Sequence, residues 1–348
     1  MKMTGETDGF LHNRWYVAAL STEVVEQPLA RTVLNQPIVF YRDTEGVAIA
    51  LEDRCVHRQA PLSLGEVIGD NLQCGYHGFT YDRSGACVRV PSQSLVPPGA
   101  CVRAYPIIEK QGFVYVWPGD PALSHNVAPF DFPFVNKEGW NKRYASLRGQ
   151  FDYRLLIDNL LDLTHLTFTH KKTIGAGGVA EQGRAKTERD GEQVRVTRLM
   201  DDIAPAPVHV EVTGYNGNVD RWQIIEFTPP CYVALDVGNA KTGQGGHEAT
   251  AKLIDRRTLH IATPETENST LYFWVSTYSS VSMTHDQEQT IYDRTMDVLA
   301  EDVAMIEGQQ SRLDGSIPMV DVTEDAGQIA ARQTLARLVA EENSASRG

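Results

Sequence analysis

Cys55-Val56-His57-Arg58 is followed along the chain by Leu72-Gln73-Cys74-Gly75-Tyr76-His77-Gly78. Each stretch offers one thiol and one imidazole. Two thiolates and two imidazoles in this order suit a [2Fe–2S] centre with both cysteines on one iron and both histidines on the other. Replacing two thiolates by neutral histidines removes negative charge from the cluster and raises its potential. The pattern therefore points to one-electron chemistry. Tetrahedral zinc is the competing reading, since four Cys/His ligands on two short loops can also hold Zn²⁺. Zinc motifs usually pair cysteine with cysteine in each knuckle, or group the histidines at the end. Here each loop gives one of each.

The residues around these loops read as short strands broken by turns. Pro37-Ile38-Val39-Phe40-Tyr41, Val47-Ala48-Ile49-Ala50-Leu51 and Phe113-Val114-Tyr115-Val116-Trp117 are examples. Alternation, β-branched residues and Gly/Pro/Asp punctuation predict a small antiparallel β domain over residues 10–125, with the cluster ligands on two loops at one end. The Pro/Phe-rich stretch 129–134 reads as a linker. A second domain, over residues 140–345, mixes helices near 152–169 and 286–310 with strands at 223–227, 232–237 and 270–276. The fold class is therefore α+β, the second domain having an antiparallel sheet flanked by helices. Residues 329–342 read as an amphipathic helix packed on that sheet or on a neighbour. Gly175-Ala176-Gly177-Gly178 and Gly243-Gln244-Gly245-Gly246 match no phosphate loop and read as flexible loops.

Composition sets limits. With 32 Lys and Arg against 45 Asp and Glu, the chain of 348 residues carries a net charge of −13. That argues against a nucleic-acid partner. It leaves room for a small anionic substrate, because a local basic group overrides a global field. No apolar run is long enough for a transmembrane helix, and Met1-Lys2-Met3-Thr4-Gly5-Glu6 has no apolar core of a signal peptide. Five cysteines do not make a disulfide framework in a chain of this length. Cys87, Cys101 and Cys231 read as ordinary thiols, which suits a reducing cytoplasm.

A second metal site is suggested by Asp158-Asn159-Leu160-Leu161-Asp162-Leu163-Thr164-His165-Leu166-Thr167-Phe168-Thr169-His170. Polar residues buried in so apolar a stretch need partners. On a regular helix His165 and His170 point about 140° apart, too far for one metal. The helix must distort or end between them. Two histidines and one carboxylate with open positions make the facial triad of non-haem Fe(II) oxygenases. Asp293, Asp297, Glu301, Asp302 and Glu307 are candidates for the carboxylate. Val298, Leu299, Met305 and Ile306 all fall within about 60° of Asp302 around a helix. Asp302 thus lies in the middle of an apolar face, where a buried aspartate needs a cation; the other four lie off it. A core aspartate capping a local group is the bland alternative.

The Cys-x-His and Cys-x2-His pairs, with Arg58, Pro61-Leu62-Ser63 and His77-Gly78, resemble the Rieske non-haem iron oxygenases. Asn13-Arg14-Trp15-Tyr16-Val17 and Tyr41-Arg42 are similar to the same family. Gly75 stands where most members carry proline, and some close relatives share the glycine. The family's Asn-x2-Asp-x2-His-x4-His segment corresponds to Asn159, Asp162, His165 and His170. The resemblance implies that His165, His170 and the later Asp302 hold the mononuclear Fe²⁺. It implies that Asp162 bridges a ligand histidine to a Rieske histidine of the next subunit in a homotrimer. Asn159 corresponds to a polar residue near the iron. The stretch Phe151 to Leu160, Asp220-Arg221-Trp222-Gln223, Thr263-Pro264-Glu265-Thr266, Tyr272-Phe273-Trp274 and Asp325-Ala326-Gly327 resemble the vanillate O-demethylase branch. That branch implies oxidative O-demethylation of a methoxylated aromatic acid, giving a phenol and formaldehyde. O₂ is then co-substrate, and NADH electrons arrive through a separate flavin/iron–sulfur reductase.

For the substrate, His260 is the candidate to hold a carboxylate or sulfonate, with Asn239 and Trp274 as further pocket residues. Hydroxylation of a methyl group or ring by the same iron centres is the alternative reaction. A pure Rieske electron carrier is a remoter one, since a carrier has no use for a second iron site.

Overall fold

The structure is a computed structural model that describes residues 9–175, 179, 183–279 and 284–345. Met1-Lys2-Met3-Thr4-Gly5-Glu6 and Ala176-Gly177-Gly178 lie outside the described residues. Two compact units divide the chain. The first is Met1–Asp131 with Thr263–Glu267, and the second is Phe132–Ala262 with Asn268–Gly348.

The first unit is all β. β1 (Tyr16–Leu20) pairs with β10 (Phe113–Val116), and β10 with β9 (Ile107–Lys110). β2 (Leu29–Val33), β3 (Gln36–Arg42) and β4 (Ala48–Glu52) form a second three-stranded antiparallel sheet. β5 (Glu66–Ile68), β6 (Asn71–Gln73), β7 (Thr80–Tyr81) and β8 (Cys87–Arg89) form a four-stranded one. Val39, Tyr41, Leu51, Leu62, Leu72 and Tyr81 pack into one core together with Cys55 and Cys74. The core thus extends up to the cluster loops.

The second unit is built on a seven-stranded sheet in the order β11-β17-β16-β15-β14-β13-β12. Its strands are β11 (Trp140–Gly149), β12 (Lys186–Asp190), β13 (Gln193–Ile203), β14 (Val219–Thr228), β15 (Tyr232–Lys241), β16 (Ile254–Thr266) and β17 (Ser269–Ser279). Helices α1 (Tyr153–Leu161), α2 (Leu166–Thr169), α3 (Pro207–Thr213), α4 (His285–Gln310) and α5 (Ala326–Ala345) complete it. Thr284 and Gln287 close a reciprocal capping box that starts α4. That helix buries Ile291, Val298, Leu299, Asp302 and Ile306, the stripe that its sequence periodicity outlines.

Two local differences from the sequence reading have physical causes. The expected helix near 152–169 breaks at Asp162, whose backbone is extended (φ −121°, ψ 100°). Its carboxylate accepts from the Thr164 N–H at 2.9 Å and from Thr164 Oγ1 at 2.9 Å. An aspartate that caps the next turn ends its own helix. Met305 sits on the edge of the α4 stripe and is 60% exposed, because a side chain at the border of a helix's apolar face can be left uncovered by its packing partners. Gly243 to Gly246 is a turn after β15, where the Gly243 N–H donates to Asp220 Oδ2 at 2.9 Å.

Candidate metal centres and substrate cavity

The two cysteine–histidine loops repeat one backbone design. The Cys55 N–H donates to Ala60 O at 2.8 Å, and the Gln59 N–H donates back to Cys55 O at 2.8 Å. The Cys74 N–H donates to Phe79 O at 2.8 Å, and the Gly78 N–H to Cys74 O at 3.0 Å. Gln59 (φ 57°) and Gly78 (φ 72°) are both left-handed at the matching position. Glycine adopts that conformation freely; for a residue with a Cβ it costs about 1–2 kcal/mol. A Cβ at Gly75 would lie 2.5 Å from Leu64 O, so any other residue there requires the Leu62–Leu64 turn to shift.

The cysteines are buried and the histidines stand outward. Cys55 and Cys74 are each 2% exposed, while His57 is half-buried and His77 exposed. The two imidazoles meet edge to face at 4.6 Å, and His57 stacks on Phe79. Burial pushes the Cys74 thiol up, and Tyr81 Oη lies 3.1 Å from Cys55 Sγ. His57 Nδ1 is buried without a hydrogen-bond partner, which a coordinated iron would supply. The ligand atoms of a zinc site, about 2.0–2.3 Å from the ion, would crowd together. Among the described residues, His165, His170 and Asp302 bring one ligand atom each within 4.8 Å of one another. Cys74 lies against Cys55 and His57 against His77, a pairing that suits a cluster with two irons.

The second centre is assembled by the break at Asp162. The chain leaves α1 and makes a short 3-10 turn at Leu163–His165. It then runs through α2 and ends that helix at His170. His165 Nδ1 lies 2.7 Å from the backbone O of Asp162, and His170 Nδ1 lies 2.7 Å from Glu301 Oε2. Each imidazole that donates through Nδ1 keeps Nε2 as the ligand nitrogen. Both Nε2 atoms face Asp302 Oδ1, at 3.5 Å from His165 and 2.9 Å from His170. Asn159 Nδ2 donates to the same oxygen at 3.1 Å. His170 is fully buried and Asp302 is 6% exposed. Burial pushes the His165 pKa down, towards the neutral form that binds metal. Two imidazole nitrogens and one carboxylate oxygen thus share a point. That donor set fits Fe²⁺ with positions left open.

Within this chain the carboxylate of Asp162 touches Thr164 and lies 3.9 Å from Arg198. It is the backbone of Asp162, not its carboxylate, that orients His165. Glu301, which orients His170, lies off the apolar stripe and gave no sequence signal beyond its place next to Asp302.

A cavity of about 900 Å³, counting its mouth, opens beside the three ligands. Leu160, Leu166, Leu235, Val237, Ile254 and Leu299 are among its apolar walls, and α4 forms one side. His260 lines it, with Nδ1 2.5 Å from Tyr272 Oη. Burial first, then nearby Arg256, pushes the His260 pKa down to about 3. The imidazole is therefore neutral, and it can give a substrate a hydrogen bond but not an ion pair. Asn239 and Trp274 are not among the lining residues. Asn239 lies behind His209, donating from Nδ2 to His209 Nδ1 at 2.8 Å. Trp274 is fully buried against Tyr272. Arg221, Arg256 and Arg294 line the cavity, and all were missed as site residues; Arg294 pairs with Glu211 and Asp297. The available signal was Arg221 and Gln223 alternating with apolar residues on the inward face of one strand.

The comparisons with known proteins agree on one lineage. Residues 14–106 match the Rieske [2Fe-2S] domain, and residues 150–341 match the vanillate O-demethylase oxygenase C-terminal domain. The chain belongs to that oxygenase family. A putative toluene-4-sulfonate monooxygenase system iron-sulfur subunit of Comamonas testosteroni is 38% identical, over 95% of this chain and 97% of its own. A vanillate O-demethylase oxygenase subunit of Pseudomonas sp. (strain HR199 / DSM 7063) is 36% identical over 97% of each. Dicamba monooxygenase bound to 3,6-dichlorosalicylic acid superposes with a TM-score of 0.89 at 28% identity, covering 96% of this chain and 99% of that one. This Rieske oxygenase is therefore the oxygenase component of a multi-component monooxygenase. It uses a [2Fe–2S] cluster, non-haem iron and O₂, draws NADH electrons from a reductase and acts on an aromatic substrate. Among its described residues no helix is long and apolar enough to cross a membrane.

Proposed function

We propose that this oxygenase oxidatively demethylates a methoxylated aromatic acid. The balanced reaction is ArOCH₃ + O₂ + NADH + H⁺ → ArOH + CH₂O + H₂O + NAD⁺. Hydroxylation of the methoxy carbon gives a hemiacetal that collapses to the phenol and formaldehyde. The observation that carries the reading is the meeting of His165 Nε2, His170 Nε2 and Asp302 Oδ1 at one wall of an apolar cavity.

In this reading His165, His170 and Asp302 hold the iron, while Cys55, Cys74, His57 and His77 hold the cluster. When bound, the iron supplies the site of O₂ activation and the cluster supplies electrons singly. The residues of the chain do the rest. Glu301 and the Asp162 carbonyl fix the two imidazoles, and Asn159 steadies the Asp302 carboxylate. Leu160, Leu166 and Leu299 keep bulk water off the reacting carbon. The working unit is a homotrimer fed by a flavin/iron–sulfur reductase, with Asp162 reaching a neighbour's His77. An apolar surface supports that assembly. Met305, Met319 and Val320 are 60%, 60% and 89% exposed and share a surface pocket with Asp162 and His165.

Hydroxylation of an aryl methyl group is the second reading, favoured by the toluene-4-sulfonate relative. The test is formaldehyde release and O₂ uptake with NADH and a generic reductase. The substrates are methoxybenzoates, methyl-arylsulfonates and unmethylated benzoates. Formaldehyde equal to O₂ consumed supports demethylation. Uptake without formaldehyde moves the reaction to methyl or ring hydroxylation.

A further inference from the structure

Part of the cavity carries charge that no carboxylate neutralises among the described residues. Arg221 and Arg256 both line it. Arg221 is 6% exposed. Its Nη2 donates to Ile174 O at 3.3 Å, and its Nη1 is buried with no partner. Arg256 Nη1 donates to Thr295 Oγ1 at 3.2 Å. Among the described residues neither guanidinium meets a carboxylate. Arg198 and Arg257, 3% and 9% exposed, each do, and Arg256 is half-buried. Leaving a buried charge unpaired costs several kcal/mol, so the free state of the cavity is prepared for an anion.

The sheet places a third polar group beside the two cations. Gln223 faces Val237 on the next strand, and Val237 faces Arg256 on the one after. The three form one row across β14, β15 and β16. Arg221 lies two residues from Gln223 and so on the same face. Both amide atoms of Gln223 are buried without partners. His209 also lines the cavity, but burial, then Arg221 and Arg256, hold its pKa well down. It supplies no competing charge.

Two measures set this group apart from the iron ligands. Thr295, which touches Arg256, precedes Asp302 by seven residues of one helix, about 10.5 Å along its axis. On β16, His260 feels the Arg256 charge first and the Asp302 charge after it and so stands between the two, with the Arg256 backbone four residues, about 13 Å, earlier along the strand. A benzene ring with substituents at opposite positions fits such a span; one with adjacent substituents does not.

We propose that Arg221, Arg256 and Gln223 form a seat for a carboxylate or sulfonate on the aromatic substrate, and that the seat selects rings whose acid group lies para to the carbon being oxidised. This rests on the placing of the reacting carbon at His165, His170 and Asp302. Planar guanidinium forks match the oxygens of either acid.

The test is calorimetric titration of the anaerobic holoenzyme, without reductase. The ligands are 4-methoxybenzoate, 4-methylbenzenesulfonate, 4-methoxybenzamide and 2-methoxybenzoate. Both para anions should bind more tightly than the neutral amide and the ortho isomer. The tighter of the two names the native acid group. Arg221→Gln should weaken the para anions by about 30-fold or more, the lower bound for removing one partner of a buried charge pair, and Arg256→Gln should weaken them by a smaller factor, because its guanidinium is half-buried. The amide should be unaffected. Amide binding as tightly as acid in the unmodified enzyme overturns the seat, and this comparison needs no variant. Equal affinity for ortho and para benzoates overturns the spacing. Failure of formaldehyde release leaves these affinities standing, whereas loss of anion preference with formaldehyde intact removes the seat alone.

Discussion

Replacing Glu301 by alanine should loosen the iron and leave the cluster intact. Glu301 Oε2 is the partner of His170 Nδ1 at 2.7 Å. Removing it frees the imidazole to rotate and to place its proton on the ligand nitrogen. Losing such a partner typically costs about 10–100-fold in metal affinity. The Glu301 side chain is 39% exposed, so water can replace part of the lost acceptor. The loss should then lie near the lower end, about 10-fold or roughly 1.4 kcal/mol. Competition of the reduced protein with a ferrous chelator measures it. The visible absorbance of the cluster serves as an internal control, since its ligands belong to the other compact unit. Glu301→Gln keeps an acceptor oxygen and should recover most of the affinity. Iron held equally well by Glu301→Ala and the unmodified chain would refute the reasoning. So would a glutamine variant as weak as the alanine one.

Asp302→Asn keeps the shape of the side chain and removes the charge between His165 and His170. Iron per chain should fall from about three to about two, with the [2Fe–2S] spectrum unchanged; three irons retained in the variant would count against the ligand assignment. Tyr81→Phe removes a phenol that can donate to the Cys55 thiolate. Because hydrogen bonds to the sulfurs raise the potential, a redox titration should find the cluster harder to reduce, and an unchanged potential would sink this account. The His260 pKa is held down at about 3 against an ordinary 6.5. An unfolded chain therefore takes up a proton there that the native chain refuses, and stability falls as pH drops from about 6.5 towards 3. His260→Gln should flatten that slope in urea unfolding at stepped pH, and equal slopes would contradict it.

Some of this was legible because local chemistry sufficed. The two cysteine–histidine pairs announce themselves by spacing, and the α4 stripe singles out Asp302 because helical periodicity is fixed. The strands around Tyr41, Val114 and Trp274 follow from alternation and β-branching. Other features depend on tertiary contacts. Asp162 ends its helix by capping Thr164, although nothing in Leu160-Leu161-Asp162-Leu163 looks like a helix end by apolar pattern. Glu301 matters only because His170 arrives beside it from 131 residues away. Arg256 and Gln223 become neighbours through the pairing of two strands with a third between them. His260 reads as a basic group in the sequence, and only its burial shows that it carries no charge.

The proposed iron ligands and the proposed acid seat grow from different architecture. His165, His170 and Asp302 sit at helix ends and on a helix face, while Gln223, Val237 and Arg256 stand in one cross-strand row. A sheet row can exchange side chains singly without shifting its backbone, because neighbouring strands hold the register. Diet and oxidant can therefore evolve separately in this scaffold. Mutational drift along the row would change which aromatic acids the enzyme accepts, with the reactive centre left untouched.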